Sequence, residues 1–145
     1  PPAARTCAGG AQFRHAHLRV SMDSIRPGNP MPLIHVQTNA AAVADPDALL
    51  RQLSAELAAL LGKPERYVMT LLQTGVPMTF GGDLAPCCYV EVKSIGGLAG
   101  GRTQEISAAL AAALKRGLGV PPERLYIGFE DVPGRLWGWD GSTFG

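Results

Sequence analysis

The sequence predicts an α+β domain built from two tandem β-α-β repeats, with four strands in one sheet and two helices on one of its faces. Three observations carry this reading. A strand-like run, an amphipathic helix and a second strand-like run occur in that order, and then the order repeats. The joint GKPERYV at 62–68 resembles GVPPERLYI at 119–127, as a duplicated unit would. A chain of 145 residues with 46% hydrophobic content is long and apolar enough for one ordinary domain with a real core.

Residues 1–31 stand apart. They are rich in Ala, Arg, Gly and Pro, and carry Arg5, Arg14, Arg19 and Arg26 against Asp23. Of the 13 basic and 12 acidic residues, nine and eleven are left for 32–145, so the predicted domain is mildly acidic and the extension basic. The extension reads as a flexible segment, a targeting segment or part of an upstream reading frame. AQFRHAHLRVSM within it has the pattern of a short strand or helix if docked.

The first strand is PLIHVQTN at 32–39. DPDALLRQLSAELAALLG at 45–62 follows as a helix, with Asp45 as N-cap, Pro46 in the first turn and Gly62 just past the end. Leu49, Leu50, Leu53, Leu57, Leu60 and Leu61 form its apolar stripe. RYVMTLLQT at 66–74 is the second strand and CYVEVKSIG at 88–96 the third. GRTQEISAALAAALKRG at 101–117 is the second helix, with Ile106, Leu110 and Leu114 on one face and Lys115 and Arg116 in a last turn that favours cations. ERLYIGFED at 123–131 is the fourth strand. The segment 134–145 shows no long element but holds Trp137, Trp139 and Phe144, which need burial in the subunit, an interface or a pocket. Several strands are apolar at most positions, which asks for cover on both faces and points to an obligate oligomer.

Composition excludes some classes of function. A net charge of +1 makes no case for nucleic acid or an anionic membrane as main partner. No run of roughly 18 apolar residues occurs, so no membrane span is expected. Cys7, Cys87 and Cys88 are odd in number and two are adjacent, which argues against a disulfide framework and for a reducing compartment. His15-x-His17 has metal-like spacing but lacks further ligands, so no metal is expected.

The segments MPLIHVQTNA, LGKPERYVM, MTFGGDLAPC, SIGGLAG, PPERLYI and GWDGSTF together resemble the macrophage migration inhibitory factor and D-dopachrome tautomerase family of the tautomerase superfamily. The resemblance runs without gaps over almost all of 31–145. It implies a homotrimer whose sheets wrap a central channel, with active sites between adjacent subunits. It also implies keto–enol tautomerisation of phenylpyruvate or dopachrome type, on a small aromatic 2-oxo acid or enol, without cofactor or metal. Pro32 matches the catalytic proline, whose secondary amine is the general base when it begins the chain. Lys63 matches the active-site lysine, which lowers the proline's pKa and grips a substrate carboxylate. Ile95 matches a residue whose backbone amide binds substrate. Tyr126 resembles a tyrosine given by the adjoining subunit. Tyr67, Trp137, Trp139 and Phe144 match positions at the pocket rim, mouth and wall.

Three departures qualify the resemblance. Gly128 stands where the family often has Asn, which removes a polar contact. Trp137 stands where a smaller valine is common, which makes the entrance narrower or more aromatic. Val90 replaces the second cysteine of the cytokine members' C-x-x-C, so their proposed thiol–disulfide activity does not carry over. The alternative is a signalling or binding protein with a possible receptor and a weak or vestigial site; a third reading is a structural oligomer kept unprocessed. A cytoplasmic location is expected, the alternatives being organelle targeting through 1–31 or leaderless secretion. All of these turn on one bond: while Met31 is joined to Pro32, the proline nitrogen is an amide and no base.

Overall fold

The computed structural model describes residues 31–145. Expectations for 1–30, including Cys7, His15 and His17, lie outside the described residues.

Strands β1 (Leu33–Thr38), β2 (Met69–Gln73), β3 (Cys88–Ser94) and β4 (Leu125–Asp131) form one mixed sheet in the order β2-β1-β3-β4. β1 pairs parallel with β2, and β3 parallel with β4, while β1 and β3 run antiparallel at the centre. Each parallel pair is joined through a helix, α1 (Pro46–Leu61) or α2 (Arg102–Leu118), as the repeat requires. Ile34 and Val36 of β1 and Val90 and Val92 of β3 are fully buried against Leu49, Leu53, Leu57, Ile106, Leu110 and Leu114 of the helices. The core therefore lies between the helix pair and one sheet face.

The caps follow the sequence. The Asp45 carboxylate accepts from the Ala48 N–H at 2.9 Å, and Gly62 takes the left-handed conformation that ends α1 (φ 63). The second helix differs from expectation: Gly117 does not stop it, and the cap is Gly119. A Cβ on Gly117 would meet Leu49 Cδ1 at 2.7 Å, so that glycine is kept for close approach of α2 to α1. The matching joints fold alike, into 3₁₀ turns at Glu65–Tyr67 and Pro122–Arg124 that each precede a strand. This shortens β2 relative to the predicted 66–74 run. The C-terminal segment adds a small hairpin, β5 (Gly138–Trp139) with β6 (Ser142–Thr143). Asp140 and Gly141 both have positive φ, 49° and 77°, which is the turn an Asp-Gly pair favours.

The sheet's second face, which the helices leave uncovered, mixes polar and apolar side chains. Burial alternates strictly along β1 and β3, and the uncovered face carries His35, Gln37, Gln73, Glu91, Lys93 and Glu130. Gln73 accepts from Gln37 at 2.8 Å, and Lys93 pairs with Glu130 at 3.0 Å, which raises the Lys93 pKa. The same face also carries exposed Tyr89 and Tyr126 and, on the edge strand β2, Met69 at 61% and Leu71 at 41% exposure. An edge strand with this character asks for a partner.

Leu53 is fully enclosed in the core. Leu53→Ala is expected to cost about 2–5 kcal/mol of stability. Urea unfolding at fixed protein concentration measures it, and a loss under ~1 kcal/mol would show that the core relaxes into the cavity.

Candidate active site

Sheet register decides what surrounds Pro32. Leu33 lies level with Met69 on one side and Lys93 on the other. The residue before it is therefore flanked by the end of the Glu65–Tyr67 turn and by the Ser94–Ile95 corner. The Pro32 carbonyl accepts from the Met69 N–H at 3.0 Å, which fixes the start of β1 against β2. Pro32 is buried, and so is Met31, at 8% exposure.

A cavity of about 230 Å³ opens beside these two residues. Its walls come from three places: Met31–Leu33 at the start of β1, Arg66–Met69 at the entry to β2, and Trp137–Trp139 from the C-terminal hairpin. The aromatic part is held by its own contacts. Tyr67 meets Trp139 edge to face at 6.1 Å, and Trp139 stacks on Phe144 at 6.1 Å with 20° between planes. The Phe144 N–H donates to the carbonyls of Gly134 and Trp137 at 3.1 and 3.3 Å, tying the chain end over the hairpin. Pro32, Tyr67, Trp137 and Trp139 thus share one cavity, with Phe144 backing the wall.

The other expected site residues lie outside that lining. Lys63 is half-buried just past the αL glycine of α1, its N–H bonded to the Ala58 carbonyl at 2.9 Å. Ile95 sits at the corner after β3, held by three bonds. Ser94 Oγ donates to the Gly96 carbonyl at 2.8 Å, the Gly96 N–H to Asp131 Oδ1 at 2.7 Å, and the Val132 N–H to the Ser94 carbonyl at 2.8 Å. Tyr126 is far away. It lies level with Tyr89 and Gln37, whereas Leu33 lies level with Lys93 and Glu130. Five residue steps along the strand lead from Pro32 to Gln37, roughly 16 Å. Tyr126 is 68% exposed and packs on Phe80 at 4.9 Å beside a second cavity of about 180 Å³ that Cys87, Cys88 and Tyr89 also line.

Both described cysteines, at the start of β3, are buried free thiols. Burial first, and then the charge of Cys87, pushes the Cys88 thiol up to about 12, so it stays protonated at neutral pH and is a poor nucleophile. Gly128 has a physical counterpart that its sequence position did not reveal. A Cβ there would lie 3.3 Å from the Tyr89 hydroxyl, which itself approaches Glu91 Oε1 at 3.4 Å. The tyrosine therefore stands in the space a larger residue would take. Sequence reasoning also missed Arg66 and Met31 as wall residues, although both lie inside quoted motifs. Among the described residues no group of three His, Cys, Asp or Glu side chains could hold a metal ion, and no helix is long and apolar enough to cross a membrane.

The profile of the family described as macrophage migration inhibitory factor (MIF) matches residues 31–145. The chain belongs to the MIF family, in the tautomerase superfamily. A MIF homologue of Trichuris trichiura is 39% identical over 114 residues, which cover 79% of this chain and 100% of the relative. MIF of Rattus norvegicus is 34% identical over 114 residues, covering 79% of this chain and 99% of the relative. The crystal structure of a MIF homologue from Prochlorococcus marinus superposes with a TM-score of 0.77 at 63% identity, over 78% of this chain and 99% of that one. MIF of Trichinella spiralis gives 0.73 at 35%, over 77% and 99%. The MIF match starts at Met31, one residue before the buried proline.

Proposed function

We propose that this MIF-family chain is a keto–enol tautomerase of phenylpyruvate or dopachrome type, whose general base is the Pro32 amine once Met31 and the residues before it are absent. The observation that carries the reading is the burial of Pro32 in a cavity with aromatic walls. Tautomerisation moves one proton between an enol oxygen and a neighbouring carbon. A base suited to it has a pKa near the working pH. A chain-terminal amine starts near ~8, and apolar surroundings and a nearby cation both disfavour its protonated form. The ring keeps the lone pair in one direction.

In the proposed cycle, the substrate's aromatic ring lies among Tyr67, Trp137, Trp139 and Phe144, where stacking favours a flat ring. Its carboxylate is drawn toward Lys63. The Ile95 corner supplies a backbone N–H. For ketonisation the neutral Pro32 amine takes the proton of the enol O–H, and the ammonium so formed gives it to the neighbouring carbon, which leaves the amine neutral again. Tyr126 does not reach the Pro32 cavity of its own chain, which favours a homotrimer with sites between subunits. The exposed Met69 and Leu71 of β2 point the same way. No cofactor enters this cycle. The described thiols are free, which suits a reducing compartment such as the cytoplasm.

A second reading is a MIF-like binding or signalling protein with a vestigial site. Met31 favours it as long as it remains, because it occupies the cavity wall and holds Pro32 as an amide. Phenylpyruvate turnover by protein beginning at Pro32, compared with its Pro32→Gly variant, tests the proposal. The variant is expected to lose most of the rate. Equal rates would remove the proline from the mechanism.

A further inference from the structure

We propose that Arg66, rather than Lys63 alone, selects carboxylate-bearing ligands at the Pro32 cavity. Arg66 lies in the 3₁₀ turn Glu65–Tyr67 and lines the cavity directly, whereas Lys63 does not. No acidic side chain is among the lining residues. An anion entering this cavity therefore meets a guanidinium at its wall and no competing carboxylate of the lining.

The guanidinium is also positioned. Its carbon lies 4.7 Å from the centroid of the Tyr67 ring, over the ring, and Nη2 donates to the Tyr67 hydroxyl at 3.2 Å. Both contacts hold a long, flexible side chain against the aromatic wall. A guanidinium has five N–H donors in a flat fork, so donors remain for both oxygens of a carboxylate after the bond to Tyr67. The geometry suits an aryl 2-oxo acid: ring against Tyr67 and the tryptophans, carboxylate toward the same face of the wall. Arg66 is exposed, so the ion pair is screened and its effect is moderate.

The assignment rests on the tautomerase reading only for the substrate, and binding can be measured without turnover. The chain has two tryptophans, Trp137 and Trp139, and both line this cavity, so intrinsic fluorescence reports on its occupancy. Protein starting at Pro32, and the full chain beside it, would be titrated with 3-phenylpropanoate and with 3-phenylpropanamide. The protein starting at Pro32 is expected to bind the acid roughly three- to tenfold more tightly than the amide, with a ratio that shrinks as salt rises. Arg66→Gln should cut that ratio to about half or less, Lys63 keeping the rest, and leave amide binding within about twofold; Arg66→Lys should lose less of it. KM for phenylpyruvate should rise in Arg66→Gln by the factor that acid binding loses, with kcat little changed. If Arg66→Gln keeps the ratio, or weakens acid and amide equally, Arg66 does not read the carboxylate. An absence of turnover in every form would overturn the tautomerase reading, and the binding ratio would still decide the role of Arg66.

Discussion

Protein that begins at Pro32 is expected to tautomerise phenylpyruvate at least about 100-fold faster than the chain that retains residues 1–31. Two effects act together. In the longer chain the proline nitrogen is part of a peptide bond, its lone pair is delocalised into the carbonyl, and it cannot take a proton at neutral pH. Met31 itself also fills space: it is 8% exposed and forms part of the cavity wall next to Pro32. Releasing the bond therefore creates a base and enlarges the room in front of it. The rate of the shorter form should rise with pH through the range in which its amine loses its proton, a range that apolar walls move below ~8. The longer form should lack that rise. N-terminal mass spectrometry of protein from its natural source gives the companion result, a chain starting at Pro32. Equal rates in the two forms would exclude the proline amine as base, and a natural protein found only with residues 1–31 attached would remove the proposed activity from the working form.

Much of this was legible because local signals and tertiary packing agree. Asp45, Pro46 and Gly62 mark α1 through backbone chemistry that needs no neighbours, and the helix starts and stops where they place it. Gly117 carried the same kind of signal and meant something else. Its use is set by Leu49 of the other helix, a contact between residues far apart in sequence. The strands were found from their apolar runs, but those runs do not tell which of the side chains the helices cover. Met69 and Leu72 look equivalent in sequence, and only the pairing separates an exposed residue from one packed on the core. The hairpin at 138–143 was missed although Asp140-Gly141 is a strong turn signal, because its strands are two residues long. At the site, Pro32, Tyr67, Trp137 and Trp139 were named through resemblance and share one cavity. Arg66 escaped notice because nothing in a single sequence tells which residues of a turn border a cavity. Tyr89 filling the space beside Gly128 could not be read either, since it depends on β3 lying next to β4 in one register.

Leu71→Asp, introduced into protein starting at Pro32, is expected to leave monomers whose tautomerase activity is at least about tenfold lower, with the subunit fold retained. The helices cover one face of the sheet, and Leu71 lies on the other, level with His35. At 41% exposure it touches no core in the single chain, so the substitution should disturb the subunit little. In an assembled trimer the same position would be desolvated, and an unpaired carboxylate there costs several kcal/mol. Light scattering after gel filtration reads the mass, and far-UV circular dichroism reads the fold. Loss of activity should follow loss of assembly, because Tyr126 stands roughly 16 Å of strand away from the Pro32 cavity of its own chain. Mixing makes the dependence quantitative. Pro32→Gly subunits keep Tyr126, and Tyr126→Ala subunits keep Pro32. Each is expected to be impaired alone. Refolded together in equal amounts, about a quarter of their sites would combine an intact proline with an intact neighbouring tyrosine, and activity should recover accordingly. A monomeric Leu71→Asp protein with undiminished turnover, or mixtures that recover nothing, would mean that each chain carries a complete site by itself.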